Sequence, residues 1–211
     1  MAYDLEEQEK LDALRAWWDR YGTLVAVVLI GGVLLFAGWR AWQWYQGHQA
    51  AQAMGYFEAL ENSALQQTED SLPRIKAASE TLRQDFPRSG YTSRGVLIAA
   101  AALKARDDLD GAREQLQWLA DRNDDPALTA LARLRLAGVL LEQQQYDAAL
   151  ARLDPVPPAF EGLYADRRGD ILVAQGKKDE AIEAWQAAVA RLGDDPLVQV
   201  IQLKIDANAG A

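Results

Sequence analysis

The longest uninterrupted apolar stretch lies near the N-terminus and is the clearest feature of the hydrophobic pattern. Residues 21–39 contain no charged side chain, and residues 23–39 read TLVAVVLIGGVLLFAGW. As a helix rising ~1.5 Å per residue, this stretch extends about 26–29 Å, close to the ~30 Å hydrocarbon core of a bilayer. The pattern therefore predicts a transmembrane helix over residues 21–42.

Aromatic residues flank this stretch on both sides. Five of the seven tryptophans lie there: Trp17, Trp18, Trp39, Trp42 and Trp44. An indole ring is stable at a membrane interface because its apolar body contacts lipid while its N–H stays hydrated. We expect these five side chains to lie at the two membrane–water interfaces, with the lipid bilayer as a partner of the chain.

Basic residues on either side of the stretch predict its orientation. Three precede it and one follows closely: Lys10, Arg15, Arg20 and Arg40. Because the side richer in Lys and Arg stays in the cytoplasm, residues 1–20 form a predicted cytoplasmic tail and residues 43–211 a predicted periplasmic domain. The apolar run is longer than a usual signal-peptide core. We therefore expect a retained single-pass anchor in the cell inner membrane rather than cleavage near residues 51–53.

The rest of the chain has a helical pattern with internal repeats. A small residue followed four positions later by a large apolar one recurs in four segments: Ala78 with Leu82, Ala112 with Leu116, Ala149 with Leu153, and Ala181 with Trp185. The alanines are separated by 34, 37 and 32 residues. Repeats of that length typically form stacked helical hairpins, since one hairpin cannot bury its apolar face alone.

The most regular unit runs over residues 165–189, ADRRGDILVAQGKKDEAIEAWQAAV. Its packing and turn positions are Gly169, Leu172, Gly176, Ala181, Trp185 and Ala188. In these positions it resembles the tetratricopeptide repeat, although Ala165 and Arg168 replace the usual Trp and Leu and the closing Pro196 comes late. Residues 196–206 suit a final helix covering the open end of the stack. The expected fold is all-α: a single N-terminal transmembrane helix followed by a tetratricopeptide-repeat-like helical-hairpin solenoid.

Composition matters mainly through the functions that it excludes. The 31 acidic residues outnumber the 22 basic ones, and a net charge of −9 disfavours nucleic acid as a partner. The chain has no cysteine and a single histidine, His48, so no thiolate site, His-based metal cluster or Ser/His/Asp triad can be assembled. We predict no enzymatic activity, no catalytic residue, no metal and no cofactor. The acidic runs at 107–110, 124–125 and 194–195 are predicted to cap helices.

What is left is a surface for binding other proteins. In tetratricopeptide stacks the first helix of each pair lines the concave face. The resemblance places seven residues on that candidate protein-binding face: Arg94, Leu97, Lys104, Leu134, Leu141, Leu163 and Val173. An apolar floor with two cations suits an amphipathic helix or an unfolded stretch of another protein. The alternative for individual members is a place in the core between helices.

The order of these features resembles one family over nearly the full length. The tail MAYDLEEQEKLDALRAWWDRYG, the single span, the Trp-rich RAWQWYQ and the degenerate repeat domain are similar to the YfgM family, the ancillary subunit of the SecYEG translocon in Gram-negative bacteria. The resemblance implies an inner-membrane protein that associates with SecYEG and with the membrane-anchored chaperone PpiD. It also implies that the protein helps to pass exported polypeptides to periplasmic chaperones.

Two other functions stay open on the sequence alone. One is a membrane-anchored scaffold of another envelope complex, which identification of the partners would separate from an adaptor of protein export. The other is a regulator that acts through residues 1–20 on a cytoplasmic protein. Tethering favours the adaptor, because anchoring near a translocon raises the effective concentration of the domain and lets weak contacts suffice.

Overall fold

The computed structural model describes residues 2–66, 68, 70–122 and 125–209, with side chains from residue 9 onward. The chain divides into two compact units, Met1–Gln52 and Ala53–Ala211. Every regular element in the described part is helical, which confirms the all-α prediction. The helices are α1 (Ala2–Leu65), α2 (Ser71–Asp85), α3 (Gly90–Lys104), α4 (Leu109–Ala120), α5 (Pro126–Glu142), α6 (Tyr146–Ala151), a short 3-10 helix (Pro158–Phe160), α7 (Glu161–Ala174), α8 (Lys178–Leu192) and α9 (Leu197–Ala209).

The first unit consists of α1 up to Gln52, and its apolar side chains are exposed. Leu35 is 78% exposed and Leu34 is 67% exposed. This helix is long and apolar enough to cross a membrane, as the pattern predicted. The five tryptophans of the predicted interfaces are likewise exposed: Trp17, Trp18, Trp39, Trp42 and Trp44. Their position at the interfaces remains a prediction.

Helix α1 continues beyond the predicted span. The predicted boundaries after residues 20 and 42 both fall inside it, and the two compact units meet between Gln52 and Ala53. From Ala53 onward the last turns of α1 belong to the second unit, where Leu60 is fully buried. The limits of the tail, span and outer domain therefore remain predictions rather than breaks in secondary structure.

Three helical hairpins with equivalent turns form most of the second unit: α3 with α4, α5 with α6, and α7 with α8. Each turn has one residue with positive φ, namely Asp107 at 60°, Gln144 at 59° and Gly176 at 81°. In each turn the next N–H donates to a carbonyl five residues back, at 3.0, 2.9 and 3.0 Å respectively. This is the hydrogen-bond pattern of a helix ending in a left-handed residue. The three turns establish a structural repeat.

Each turn lies five residues before a buried alanine of the repeat pattern. Ala112, Ala149 and Ala181 are all 0% exposed. The large residues that follow them are also buried: Leu116, Leu153 and Trp185. A small residue on one helix leaves room for the partner helix, and the large residue fills the space beside it. The predicted repeat-like solenoid is therefore confirmed, including the helix α9 that packs on α8 at its end.

The N-terminal end of the second unit is closed by the last turns of α1 together with α2 and α3. The rings of Phe57 and Tyr91 lie 5.6 Å apart, and Leu60, Ile75 and Leu82 join the same apolar core. The Arg106 guanidinium donates to the Gln66 carbonyl at 2.9 Å and to the Ser71 hydroxyl at 3.3 Å. These bonds fix the connection from α1 to α2 against the first hairpin.

Helix starts are capped as the acidic runs predicted. Asp108 accepts the Gly111 N–H at 2.9 Å, Asp125 accepts the N–H groups of the first turn of α5, and Asp195 accepts the Leu197 N–H at 2.8 Å. A hydrogen bond from Lys76, at 2.6 Å, and that from Gly111 hold the pKa of Asp108 below its usual value. Asp124 lies outside the described residues.

Candidate protein-binding groove

A recess of about 240 Å³ lies where α3, α5 and α7 come together, and we call it the groove. These are the first helices of the three hairpins, so the groove lies on the side that the repeat pattern predicted for a partner. Its lining residues are Ala100, Ala101, Lys104, Leu116, Arg135, Gly138, Val139 and Arg167. The groove therefore has a small-residue, apolar floor with three basic side chains at its edges.

Small residues create the groove. Ala100 and Ala101 on α3 line it together with Gly138 on α5, and none of the three has a side chain long enough to fill the space. A Cβ at Gly138 would lie 3.5 Å from Cζ of Arg167, an ordinary contact distance, so the guanidinium lies against this part of α5. Helix α7 is fixed to α5 nearby, because the buried Tyr164 hydroxyl donates to the Ala130 carbonyl at 2.8 Å. Burial raises the pKa of Tyr164, which keeps this donor protonated.

The three basic groups of the groove differ in their internal partners. Lys104 Nζ lies 2.5 Å from a carboxylate oxygen of Glu142. Arg167 Nη1 lies 3.4 Å from Asp170, and its Nε is buried with no hydrogen-bond partner among the described residues. Arg135 reaches only the Leu97 carbonyl, at 3.5 Å, and forms no ion pair within the described part of the chain. Arg135 is thus the basic group most available to a partner.

The seven residues predicted for the binding face take several positions in the structure. Lys104 lines the groove, and Arg94 is exposed on the preceding turns of α3. Leu97 is only 7% exposed and belongs to the core. The other four are half-buried, three of them packed against apolar clusters: Leu134, Leu141, Leu163 and Val173. A role in partner binding remains a prediction for all seven.

Arg135 and Arg167 were not predicted from the sequence, because the predicted face of each helix was rotated about its axis relative to the groove. Neighbouring helix positions are about 100° apart, so naming Leu134 instead of Arg135 moves the expected surface towards the core. A signal was present, since Arg133 and Arg135 are the only charged residues of α5 before its last residue. A charged side chain on a largely buried helix marks its solvent-facing side.

The predicted packing positions of the last hairpin are closely arranged. Trp185 is 2% exposed, and its indole N–H donates to Asp170 at 3.3 Å. A Cβ added to Gly169 would approach three indole atoms more closely than 3.0 Å, so this position admits no side chain without movement. Buried beside Trp185 are Leu172, Ala181 and Ala188, and Gly176 occupies the turn. This packing positions α7, and with it Arg167.

A second cluster, the terminal lock, joins α9 to α7. Lys204 Nζ donates to both Asp166 and Asp170 at 2.7 Å and lies 5.9 Å from the centre of the Trp185 ring. Burial raises the pKa of Asp166, although the bond from Lys204 opposes that rise. Burial alone would lower the pKa of Lys204, but its two carboxylate partners outweigh it and raise that pKa. The lock thus keeps Lys204 charged at neutral pH.

Comparison with known proteins agrees with this architecture. A sequence model of the tetratricopeptide repeat-like domain matches residues 15–210. The chain is 33% identical to the "Ancillary SecYEG translocon subunit" of Neisseria gonorrhoeae over 98% of its own length and 99% of the relative's. It is 33% identical to the protein of that name from Haemophilus influenzae, covering 89% and 91% of the two chains. It is 31% identical to the one from Escherichia coli K12, covering 95% of each.

These matches span both units of the chain, the apolar helix as well as the repeats. A domain model over most of the sequence and relatives covered almost end to end give the same assignment. The chain therefore belongs to the family of ancillary SecYEG translocon subunits, and its repeats belong to the tetratricopeptide repeat-like domain family.

Proposed function

We propose that this protein is a non-enzymatic, membrane-tethered adaptor that associates with the SecYEG translocon. In this proposal residues 1–20 lie in the cytoplasm, the apolar part of α1 crosses the inner membrane, and residues 43–211 lie in the periplasm. The repeat domain holds exported polypeptides briefly and passes them to a PpiD-like periplasmic chaperone through protein–protein contacts.

The observation that carries the proposal is the groove on the same chain as an apolar helix with exposed side chains. The groove of about 240 Å³ is smaller than the ~300–1,000 Å³ typical of small-molecule sites. It suits one or two side chains of a polypeptide. Such a contact is weak alone, but a membrane tether keeps the domain near any client leaving the translocon.

The relatives and the charge distribution support the partner and the orientation. Proteins named as ancillary SecYEG translocon subunits align with this chain along nearly its whole length. Lys10, Arg15 and Arg20 precede the apolar stretch, whereas Arg40 alone follows it within thirty residues. An excess of basic residues before the span favours a cytoplasmic N-terminus.

In-cell photocrosslinking tests the proposed association. A photoreactive amino acid at Ala101 or Lys104 places the probe in the groove, and one at Leu35 places it on the apolar stretch. We expect groove crosslinks to exported polypeptides or a periplasmic chaperone, and span crosslinks to SecY-type subunits. A probe at the exposed Ala187 on α8 is the matched control. Crosslinks from the groove to cytoplasmic proteins alone would overturn the proposed orientation, and crosslinks to an unrelated envelope complex would favour the scaffold.

Orientation has its own test, because the chain has no cysteine that would complicate labelling. Single substitutions Ala13→Cys in the tail and Gln199→Cys on α9 introduce one exposed thiol each. With a membrane-impermeant maleimide and a permeabilised outer membrane, we expect labelling of Gln199→Cys alone. Labelling of Ala13→Cys alone would reverse the orientation.

A further inference from the structure

The groove collects positive charge in a chain whose net charge is −9. Three basic side chains come to it from three different helices: Lys104 from α3, Arg135 from α5 and Arg167 from α7. A cluster assembled from residues more than thirty positions apart is a property of the fold rather than of a local basic run. In an acidic protein, such a cluster is the surface most suited to a negatively charged partner.

The carboxylates around the groove neutralise these charges only in part. Glu142 pairs with Lys104. Asp170 pairs with Arg167, but its other oxygen already accepts hydrogen bonds from Lys204 and from the indole of Trp185. That leaves Arg135 without a carboxylate in the described part of the chain, so the groove retains a net positive charge.

The two arginines lie on the same side of the groove floor. Arg135 and Gly138 are three positions apart on α5 and share a helix face. The Arg167 guanidinium lies over that same Gly138, where a Cβ would be 3.5 Å from its Cζ. A planar guanidinium presents several N–H donors in a fixed geometry that matches a carboxylate.

The rest of the floor determines what accompanies the carboxylate. Ala100, Ala101 and Val139 have only small or short apolar side chains and Gly138 has none, while Leu116 also lines the groove. The empty space suits a larger apolar side chain from a partner, since filling it removes apolar surface from water. The arrangement selects a short segment in which an acidic residue stands beside a bulky apolar one.

We propose that the groove binds an acidic segment of a partner protein, with a carboxylate held by Arg135 and Arg167 and a neighbouring apolar side chain on the small-residue floor. The inference rests on the proposed adaptor function and specifies the chemistry of the polypeptide that the adaptor recognises. Lys104 takes part to the extent that Glu142 releases it.

The test uses the full chain in phosphatidylcholine nanodiscs, whose uncharged surface does not itself repel the probe. Two fluorescein-labelled peptides are compared by fluorescence anisotropy: a repeat of Glu-Leu-Asp-Glu-Leu and its amide counterpart of Gln-Leu-Asn-Gln-Leu. We expect the acidic peptide to bind about tenfold more tightly, as one charge-assisted hydrogen-bonded pair provides. Raising NaCl from about 0.05 M to about 0.5 M should reduce that preference.

Variants separate recognition from a general loss of structure. Arg135→Gln should weaken binding of the acidic peptide about tenfold and leave the amide peptide unaffected. Arg88→Gln, an exposed arginine in the turn before α3, is the matched control and should change neither affinity. Glu142→Gln frees Lys104 and should strengthen binding of the acidic peptide, a gain that a purely structural role does not produce. Circular dichroism melting checks the fold of each variant.

Three results would overturn the proposal. Equal affinity for the two peptides removes the charge selection but leaves the adaptor function standing, because that function is tested by crosslinking in cells. An equal loss in Arg88→Gln and Arg135→Gln would assign the effect to overall charge. Absence of binding by either peptide would show that the groove does not hold such segments, and the crosslinks would then test the adaptor function separately.

Discussion

The α7–α8 hairpin and the α5–α6 hairpin share one turn geometry and one buried alanine, yet their second helices differ greatly in length. Helix α8 has fifteen residues, whereas α6 has six. Helix α6 stops at Ala151, and prolines follow at 155, 157 and 158, where no helix can continue easily. Leu153 nevertheless lies fully buried two residues beyond the end of α6, in the place that Trp185 takes inside α8.

This comparison shows which features the two hairpins share and which feature can vary between them. Both hairpins keep the left-handed turn residue, the small residue and the large residue, and both stack against their neighbours. A complete second helix is not required. The shortened α6 leaves the middle of the stack to be held by α5, which lies between α3 and α7 and carries Arg135 and Gly138 of the groove.

Removing the large residue of each hairpin should give the largest effects. Trp185→Ala is expected to lower the free energy of unfolding by about 4 kcal/mol, since truncating a buried aromatic residue leaves a large cavity. Leu153→Ala should cost less, about 2 kcal/mol, because the smaller side chain leaves a smaller cavity in a region free of regular helix. Urea unfolding of residues 53–211 measures both. Equal costs would show that the size of the cavity does not determine the loss of stability at these two positions.

Enlarging a small residue should have the next largest effect. Ala188 is fully buried between α7, α8 and α9, so Ala188→Leu is expected to destabilise the domain by about 2–3 kcal/mol through overpacking. Ala187→Leu, one position along the same helix, is exposed and should stay within about 0.5 kcal/mol of the parent. Thermal melting of the parent and both variants measures the difference. An unchanged melting curve for Ala188→Leu would contradict the assigned packing.

The repeat pattern could be recognised clearly in the sequence of the last hairpin but only weakly in the other two, and the residues at the turns explain this difference. Gly176 marks its turn because glycine adopts positive φ without steric cost. The equivalent turns contain Asp107 and Gln144, which also have positive φ. Neither residue type indicates positive φ in the sequence as clearly as glycine does. The apolar span was recognisable because a lipid-exposed helix has apolar residues on every face, whereas a repeat helix reveals only a weak stripe.

The groove was predictable in its general place but not in its residues. The helices named from the repeat pattern line the groove, as does Lys104, and their role in binding remains a prediction. The positions of Arg135 and Arg167 depend on the rotation of α5 and α7 about their axes, and for α7 the close contact of Gly169 with Trp185 sets that rotation. An error of one residue in that rotation exchanges a surface position for a core position, as it did for Leu97.

Two glycines give a direct test of these contacts, with a smaller expected effect. Gly169→Ala places a Cβ against the indole of Trp185, which is buried and hydrogen-bonded and has little freedom to move, so we expect a loss of about 1–2 kcal/mol. Gly138→Ala meets Arg167 only at ordinary contact distance and should stabilise α5 by about 0.5–1 kcal/mol, because alanine favours a helix more than glycine. Urea midpoints measure both. Destabilisation by Gly138→Ala as large as that by Gly169→Ala would remove the distinction between the two hairpins.

The terminal lock should make the smallest contribution to the free energy of unfolding at neutral pH, about 1 kcal/mol. The cost of burying Asp166 offsets much of the stabilisation from its ion pair with Lys204. Since the pKa of Lys204 is raised above its ordinary 10.5, this contribution is complete below pH 10.5 and is lost as the pH rises through the folded-state pKa. Lys204→Met keeps the apolar stem beside Trp185 and removes the charge, and Lys178→Met on the exposed start of α8 is its control. We expect the difference in unfolding free energy between the parent and Lys204→Met to shrink at strongly alkaline pH, while Lys178→Met shows no such trend. A difference that stays constant with pH would mean that the charge of Lys204 does not help to hold α9, which would then be held by the apolar packing of Ile201 and Ile205.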